Sequence, residues 1–194
     1  MKKGAKIGIG CLVAVIVVVL ILVSTFKGMY NSLVNLDEGV NNSWAQVENQ
    51  LQRRYDLIPN LVETVKGYAS HEKEVLTEVT KARASVGSAQ TPADKMEANN
   101  ALSGALSRLL LVVERYPDLK ANQNFIRLQD ELAGTENRIA VERRRYNEQV
   151  QLFNKKIRSF PTVFFAGMFG FEKREYFEAP AEAKQAPKVD FSNK

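Results

Sequence analysis

Residues 7–26 read IGIGCLVAVIVVVLILVSTF, a stretch that opens at Ile7, closes at Phe26 and holds no charged residue between Lys6 and Lys27. Val, Ile and Leu fill most of its positions. Twenty helical residues rise about 30 Å, the thickness of a bilayer's hydrocarbon core. A cleaved signal peptide carries a shorter apolar region, about 7–15 residues, with a small-x-small cleavage site behind it. Here the run is longer, and Val23-Ser24-Thr25-Phe26 is a poor cleavage site. The stretch predicts a retained transmembrane helix over 7–26, preceded by a short basic terminus at 1–6.

The net charge of +5 divides unevenly around that helix. Lys2, Lys3 and Lys6 supply +3 ahead of it, residues 27–160 hold 19 basic and 17 acidic groups, and five of each follow Phe160. A nucleic-acid binder concentrates basic charge in its folded domain, so this balance predicts no nucleic-acid partner. Lysines beside a transmembrane end favour the cytoplasm. The bias predicts a single-pass protein of the bacterial inner membrane, N-terminus cytoplasmic and C-terminal domain extracytoplasmic. Cys11 is the only cysteine, which excludes an intramolecular disulfide. A lipid-modified cysteine should follow its apolar stretch, whereas Cys11 precedes most of it, so it reads as a small residue of the anchor. Gly4 with Gly8, and Gly10 with Ala14, form small-xxx-small pairs of the kind that let two anchors approach.

Beyond the anchor, apolar residues recur at steps of three and four: Leu33, Leu36, Val40, Trp44, Val47, Leu51, Ile58, Leu61, Val65, Tyr68, then Leu76, Val79 and Val86. That spacing is a one-sided helical stripe. Pro59 falls within it, with Asp56 three residues earlier as a candidate cap. The pattern therefore predicts either two helices, 29–54 and 57–86, or one kinked helix. Gly87-Ser88 ends the run. Thr91-Pro92-x-Asp94 opens a third helix with a capping pair and Pro at the first position, carrying Leu102, Leu106, Leu109, Val113 and Tyr116 up to Pro117. A fourth helix is predicted from about Asn122 to Ser159, striped by Phe125, Leu128, Leu132, Ile139, Tyr146, Val150, Phe153 and Ile157. Each stripe needs a partner. The expected fold is all-α: an N-terminal transmembrane helix followed by an antiparallel, up-and-down four-helix bundle over 27–160, or a long helical hairpin kinked at Pro59 and Pro117. Either form returns the end of the last helix to the membrane side.

That return gives meaning to the aromatic segment at 161–177. With the adjoining Phe160 it gathers Phe164, Phe165, Phe169, Phe171, Tyr176 and Phe177 around Pro161, Gly167 and Gly170, in too few residues to span a bilayer. Two readings stand: a loop closing the end of the bundle, or an aromatic shelf, with Phe164, Phe165 and Phe169 at the lipid interface or against a partner. Residues 178–194, rich in Ala, Pro and Lys, read as a disordered tail.

The inventory for catalysis is thin. His71 is the only histidine. His71-Glu72-Lys73-Glu74-Val75 begins like a zinc-protease helix, but Val75 stands where the second histidine belongs. No serine sits in a nucleophile elbow, and no glycine loop is placed to cradle phosphate. The sequence predicts no enzyme, no cofactor, no metal and no small-molecule substrate. Arg143-Arg144-Arg145 is offset by Glu142 and Glu148 and reads as a solvated face. Lys155-Lys156-x-Arg158 lies at the predicted membrane end, within reach of headgroups.

Against these residues the chain resembles the LemA family of bacterial membrane proteins. The likeness rests on Trp44-x-x-Val47-x-x-Gln50-Leu51-x-Arg53-Arg54-x-Asp56-Leu57-Ile58-Pro59-Asn60-Leu61-Val62, on Val65-Lys66-Gly67-Tyr68-Ala69-x-His71-Glu72, and on Tyr116-Pro117-x-Leu119-Lys120-Ala121-Asn122. Glu136-Asn137-x-Ile139, Arg143 and Tyr146-Asn147 complete it. The resemblance implies a bromodomain-like bundle on a membrane anchor and no particular reaction. It also implies a setting among relatives in magnetosome membrane formation and genes neighbouring membrane zinc peptidases or TPM-domain proteins. Some relatives carry a lipobox in place of this anchor.

The function expected from the sequence is a non-enzymatic, membrane-anchored scaffold that binds an envelope protein or itself beside the lipid bilayer. Arg53, Arg54, Asp56, Asn60, Asn122 and Asn147 form its candidate partner-binding surface, as polar groups that packing alone does not require. The alternative is a ligand-binding or stress-sensing bundle acting through a partner such as a membrane protease.

Overall fold

The computed structural model describes residues 2–177; the tail expected over 178–194 lies outside them. The described residues are all-helical with no strand: α1 (Lys2–Lys66), α2 (Lys73–Ser88), α3 (Pro92–Val113), the single turn α4 (Pro117–Lys120), α5 (Gln123–Arg158) and a 3-10 turn at Thr162–Phe164.

The first helix runs for 65 residues and includes both the apolar stretch and Pro59. Pro59 does not break it, although a proline here removes the N–H that would bond the carbonyl of Tyr55. Arg83 of α2 supplies the missing donor: its Nε donates to the Tyr55 carbonyl oxygen at 3.1 Å. Its guanidinium also lies over the Tyr55 ring, 3.7 Å from the centroid. Of the two arrangements the sequence allowed around residues 55–58, the continuous helix holds because a neighbour repairs the lost bond. The break comes instead at Gly67–Glu72, within the predicted second stripe. Tyr68, placed in that stripe by spacing, is 45% exposed.

The later boundaries follow their local signals. Thr91 Oγ1 accepts from Asp94 N at 3.1 Å and the Asp94 carboxylate accepts from Thr91 N at 3.4 Å, a reciprocal cap with Pro92 at the first helical position. Helix α3 stops at Val113, three residues before Tyr116. Helix α5 starts behind Asn122, whose Oδ1 accepts from the backbone N–H of Asn124 at 2.9 Å and of Phe125 at 3.1 Å.

The chain divides into two compact units. The larger holds Ser43–Asn147 and the described residues from Tyr176 on. Its core draws Ile58, Leu61 and Val65 from α1, Leu76 and Val79 from α2, and Leu102, Leu106, Leu109 and Val113 from α3. Leu119 of α4 and Phe125 of α5 complete it. Five helical elements, the single turn α4 among them, thus bury their apolar residues together, as single-striped helices must. The smaller unit holds the chain up to Asn42 and Glu148–Glu175. Leu33, Val40, Val150, Phe153 and Ile157 are buried. Gly39 admits the Gln149 side chain: a Cβ there would stand 3.1 Å from Gln149 Oε1. On the same helix, Leu12 through Val23 leave their apolar side chains 48–63% exposed at Leu12, Val13 and every position from Val15 to Val23. This is a stretch long and apolar enough to cross a membrane, with a mean hydropathy of 2.6.

Candidate functional site

The six polar residues singled out in the sequence separate into two groups in the larger unit. Arg54 belongs inside: it is 5% exposed, on the face of α1 between Leu51 and Ile58. Its Nη1 meets the Glu136 carboxylate of α5 at 2.5 Å and donates to Asn99 Oδ1 at 2.9 Å and Ser103 Oγ at 3.0 Å, both on α3. One guanidinium therefore ties three helices together. Burial pulls the Arg54 pKa down from its usual value and Glu136 opposes the shift; at neutral pH the group stays cationic. Its Nε is buried with no hydrogen-bond partner. Asn99, Ser103 and Glu136 were not read as candidates. The available signal was Asn99 itself, a polar residue one turn from Leu102 and Ser103 on an otherwise apolar face.

Asn122 and Asn147 are also engaged. Besides capping α5, Asn122 donates from Nδ2 to the Tyr68 hydroxyl at 2.8 Å. Asn147 grips the backbone of Phe177, donating to its carbonyl at 3.0 Å and accepting from its N–H at 2.8 Å. This seats the Phe177 ring against Tyr146 and Trp44, with centroids 4.7 and 5.6 Å away. Packing uses these asparagines after all. Arg53, Asp56 and Asn60 make up the second group. They are exposed and follow one another at steps of three and four along one face of α1. Arg53 stands 3.5 Å from the Glu131 carboxylate, and Asp56 accepts from Gln52 at 2.9 Å. Such exposed pairs are weak and give way readily to another partner.

In the smaller unit, Asn154 repeats the backbone grip on Arg174, at 2.8 and 2.9 Å. The Arg174 side chain donates from Nε and Nη2 to Asp37 Oδ1 at 3.1 and 2.8 Å. The aromatic segment is therefore pinned to both helices of its unit. Phe165 meets Phe26 edge-on at 4.6 Å, and Phe169 meets Tyr30 edge-on at 5.4 Å. Phe164, the third candidate for the membrane interface, meets Phe160 edge-on at 6.0 Å and is 69% exposed.

His71 lies exposed in the turn between α1 and α2, so the zinc-protease-like run straddles a turn and a helix start. Glu72 accepts from Arg115 at 2.8 Å and from the Tyr116 hydroxyl at 3.0 Å. That hydrogen bond, with partial burial, raises the Tyr116 pKa by stabilising the neutral phenol. Beside Arg54, a cleft of about 320 Å³ opens among Leu61, Leu106, Leu110, Leu132, Ser103 and Glu136.

This arrangement holds helices together and offers a polar helix face. The family model for the LemA family matches residues 43–191. The chain belongs to the LemA family. Among its LemA-type relatives, the magnetosome protein MamQ 2 of Paramagnetospirillum magneticum is 27% identical over 84% of this chain and 70% of its own length. MamQ of Magnetospirillum gryphiswaldense is 26% identical over 82% and 68%. Protein LemA of Metamycoplasma hominis is 26% identical over 71% and 63%. With the apolar stretch of α1, this LemA-family chain is a membrane-associated helical protein.

Proposed function

We propose that the protein is a non-enzymatic scaffold, held in the bacterial inner membrane by residues 7–26 with its N-terminus cytoplasmic, whose folded part binds another envelope protein. The reading rests on the division of the Arg53–Asn60 segment. Arg54 is spent on the core, while Arg53, Asp56 and Asn60 form a polar row on an exposed helix face. Packing does not use that row: the Arg53 and Asp56 side chains make weak surface pairs. A rigid helix tied down by a buried cation presents such a row without the entropy cost of ordering a loop. Two relatives carry the name magnetosome protein, which supports an organising role at a membrane.

Photocrosslinking tests this in intact membranes. A photoreactive residue at Asn60 is expected to yield a discrete protein adduct, while one at the exposed Lys81 of α2 yields background only. Equal background at both positions contradicts the scaffold reading. The cleft beside Arg54 favours a second reading, a site for a small amphiphile. A compound that raises the melting temperature of the wild-type chain but not of Leu132→Trp would support it.

A further inference from the structure

We infer that the aromatic segment is a second, monotopic contact with the same bilayer that the first helix enters: the side chains of Phe160, Val163, Phe164 and Met168 sit in the lipid interface beside the exit of the anchor. All of these residues belong to the smaller unit. Phe165 packs on Phe26, the last residue of the charge-free stretch, and Phe169 packs on Tyr30, one turn further along. Four helical residues rise about 6 Å, so these two contacts fix the segment at the level where hydrocarbon gives way to headgroups. With Phe165 and Phe169 turned onto the helix, the opposite side of the segment is apolar. Phe160 is 82% exposed, Phe164 69%, Met168 76% and Val163 48%. Four large apolar side chains left open between positions 160 and 168 are rare on a surface that faces only water.

Lipid fits that surface for two reasons. The patch continues a face already committed to lipid, because the neighbouring turns of α1 leave Leu20 to Val23 open to their surroundings. The charge pattern agrees as well. Lys155 and Arg158 are exposed and Lys156 half-buried in the last turn of α5, directly before the segment, and Lys27 follows Phe26. Apolar and aromatic side chains bordered by lysine and arginine are the composition of elements that lie about 5–10 Å into an interface. The split also revises which aromatic residues touch lipid: Phe164 does, while Phe165 and Phe169 brace the segment against the anchor.

Spin labelling of the full chain tests this. In a Cys11→Ala background, Phe164→Cys and Met168→Cys are labelled separately and reconstituted into vesicles of phosphatidylethanolamine and phosphatidylglycerol. Leu111→Cys, on a residue of the larger unit that is 73% exposed, is the control. Collisions with oxygen, which partitions into lipid, are compared with collisions with a water-soluble nickel chelate. The expected result is an oxygen-to-nickel ratio several-fold higher at positions 164 and 168 than at 111. A ratio at both sites equal to that of the control shows a surface in water and overturns the inference. Shielding from both reagents shows a protein cover, a second copy or another chain, and overturns it too. Both labels replace exposed side chains, and unchanged helicity of either labelled chain suffices to read the result.

Discussion

Arg54→Ala is expected to destabilise the detergent-solubilised chain by about 3 kcal/mol, because breaking a buried ion pair strands the partners that remain. For a chain of this size that corresponds to a fall in melting temperature of roughly 6–12 °C. The estimate sits at the lower end for buried pairs because the Glu136 side chain is 47% exposed and regains water when its partner leaves. Asn99, 3% exposed, regains little. Arg54→Lys should recover only part of the loss, since an ammonium on a flexible stem does not reproduce a planar fork reaching α3 and α5 together. Replacing both ends, Arg54→Met with Glu136→Leu, should lose less than the sum of the single changes. Thermal unfolding followed by circular dichroism reads each variant, the single changes Arg54→Met and Glu136→Leu included. A melting temperature within a degree of wild type for Arg54→Ala would show that the cation does not hold the helices.

Phe125→Ala should cost about 3–5 kcal/mol, the range for emptying a fully packed aromatic site. Phe125 is 1% exposed and closes the core from the first turn of α5, directly behind the Asn122 cap. Phe164→Ala is the matched comparison. It removes the same atoms from a side chain that is 69% exposed, so it should change stability in detergent by less than about 0.5 kcal/mol. Urea unfolding midpoints distinguish the two. Equal shifts would mean that the aromatic segment is packed as deeply as the core.

Those two phenylalanines show how far the sequence could be read. Phe125 belongs to a stripe of period 3.6, and its burial follows from that period alone. Phe164 sits between Pro161 and Gly167 with no period to orient it, so closing the bundle and meeting lipid both remained open readings. Tertiary partners orient the neighbouring rings: Phe26 takes Phe165, Tyr30 takes Phe169, and the Asn147 grip carries Phe177 to Trp44. Helix ends were legible where one residue sets them. Thr91 with Asp94, and Asn122, cap the helices that the sequence placed behind them. Pro59 left two arrangements open, because the donor that repairs its missing bond comes from Arg83, 28 positions from Tyr55, which no local signal announces. The true break at Gly67 was hidden by a stripe that continues through Tyr68.

The candidate site was legible as a segment but not in its division of labour. Arg53 and Arg54 are adjacent and chemically alike, yet a step of about 100° around a helix puts one in water and the other among Leu51, Ile58 and α3. Reading that difference requires the phase of the stripe against its neighbours. The apolar residues on either side of Arg54 carried it, and the asparagine at position 99 marked the place that receives the charge.

Extraction of native membranes with alkaline carbonate, followed by intact-mass measurement, tests the central claim most directly. A chain threaded through the bilayer by residues 7–26 is expected in the pellet at a mass that includes those residues. A soluble form in the supernatant, or a mature chain lacking those residues, would contradict the account.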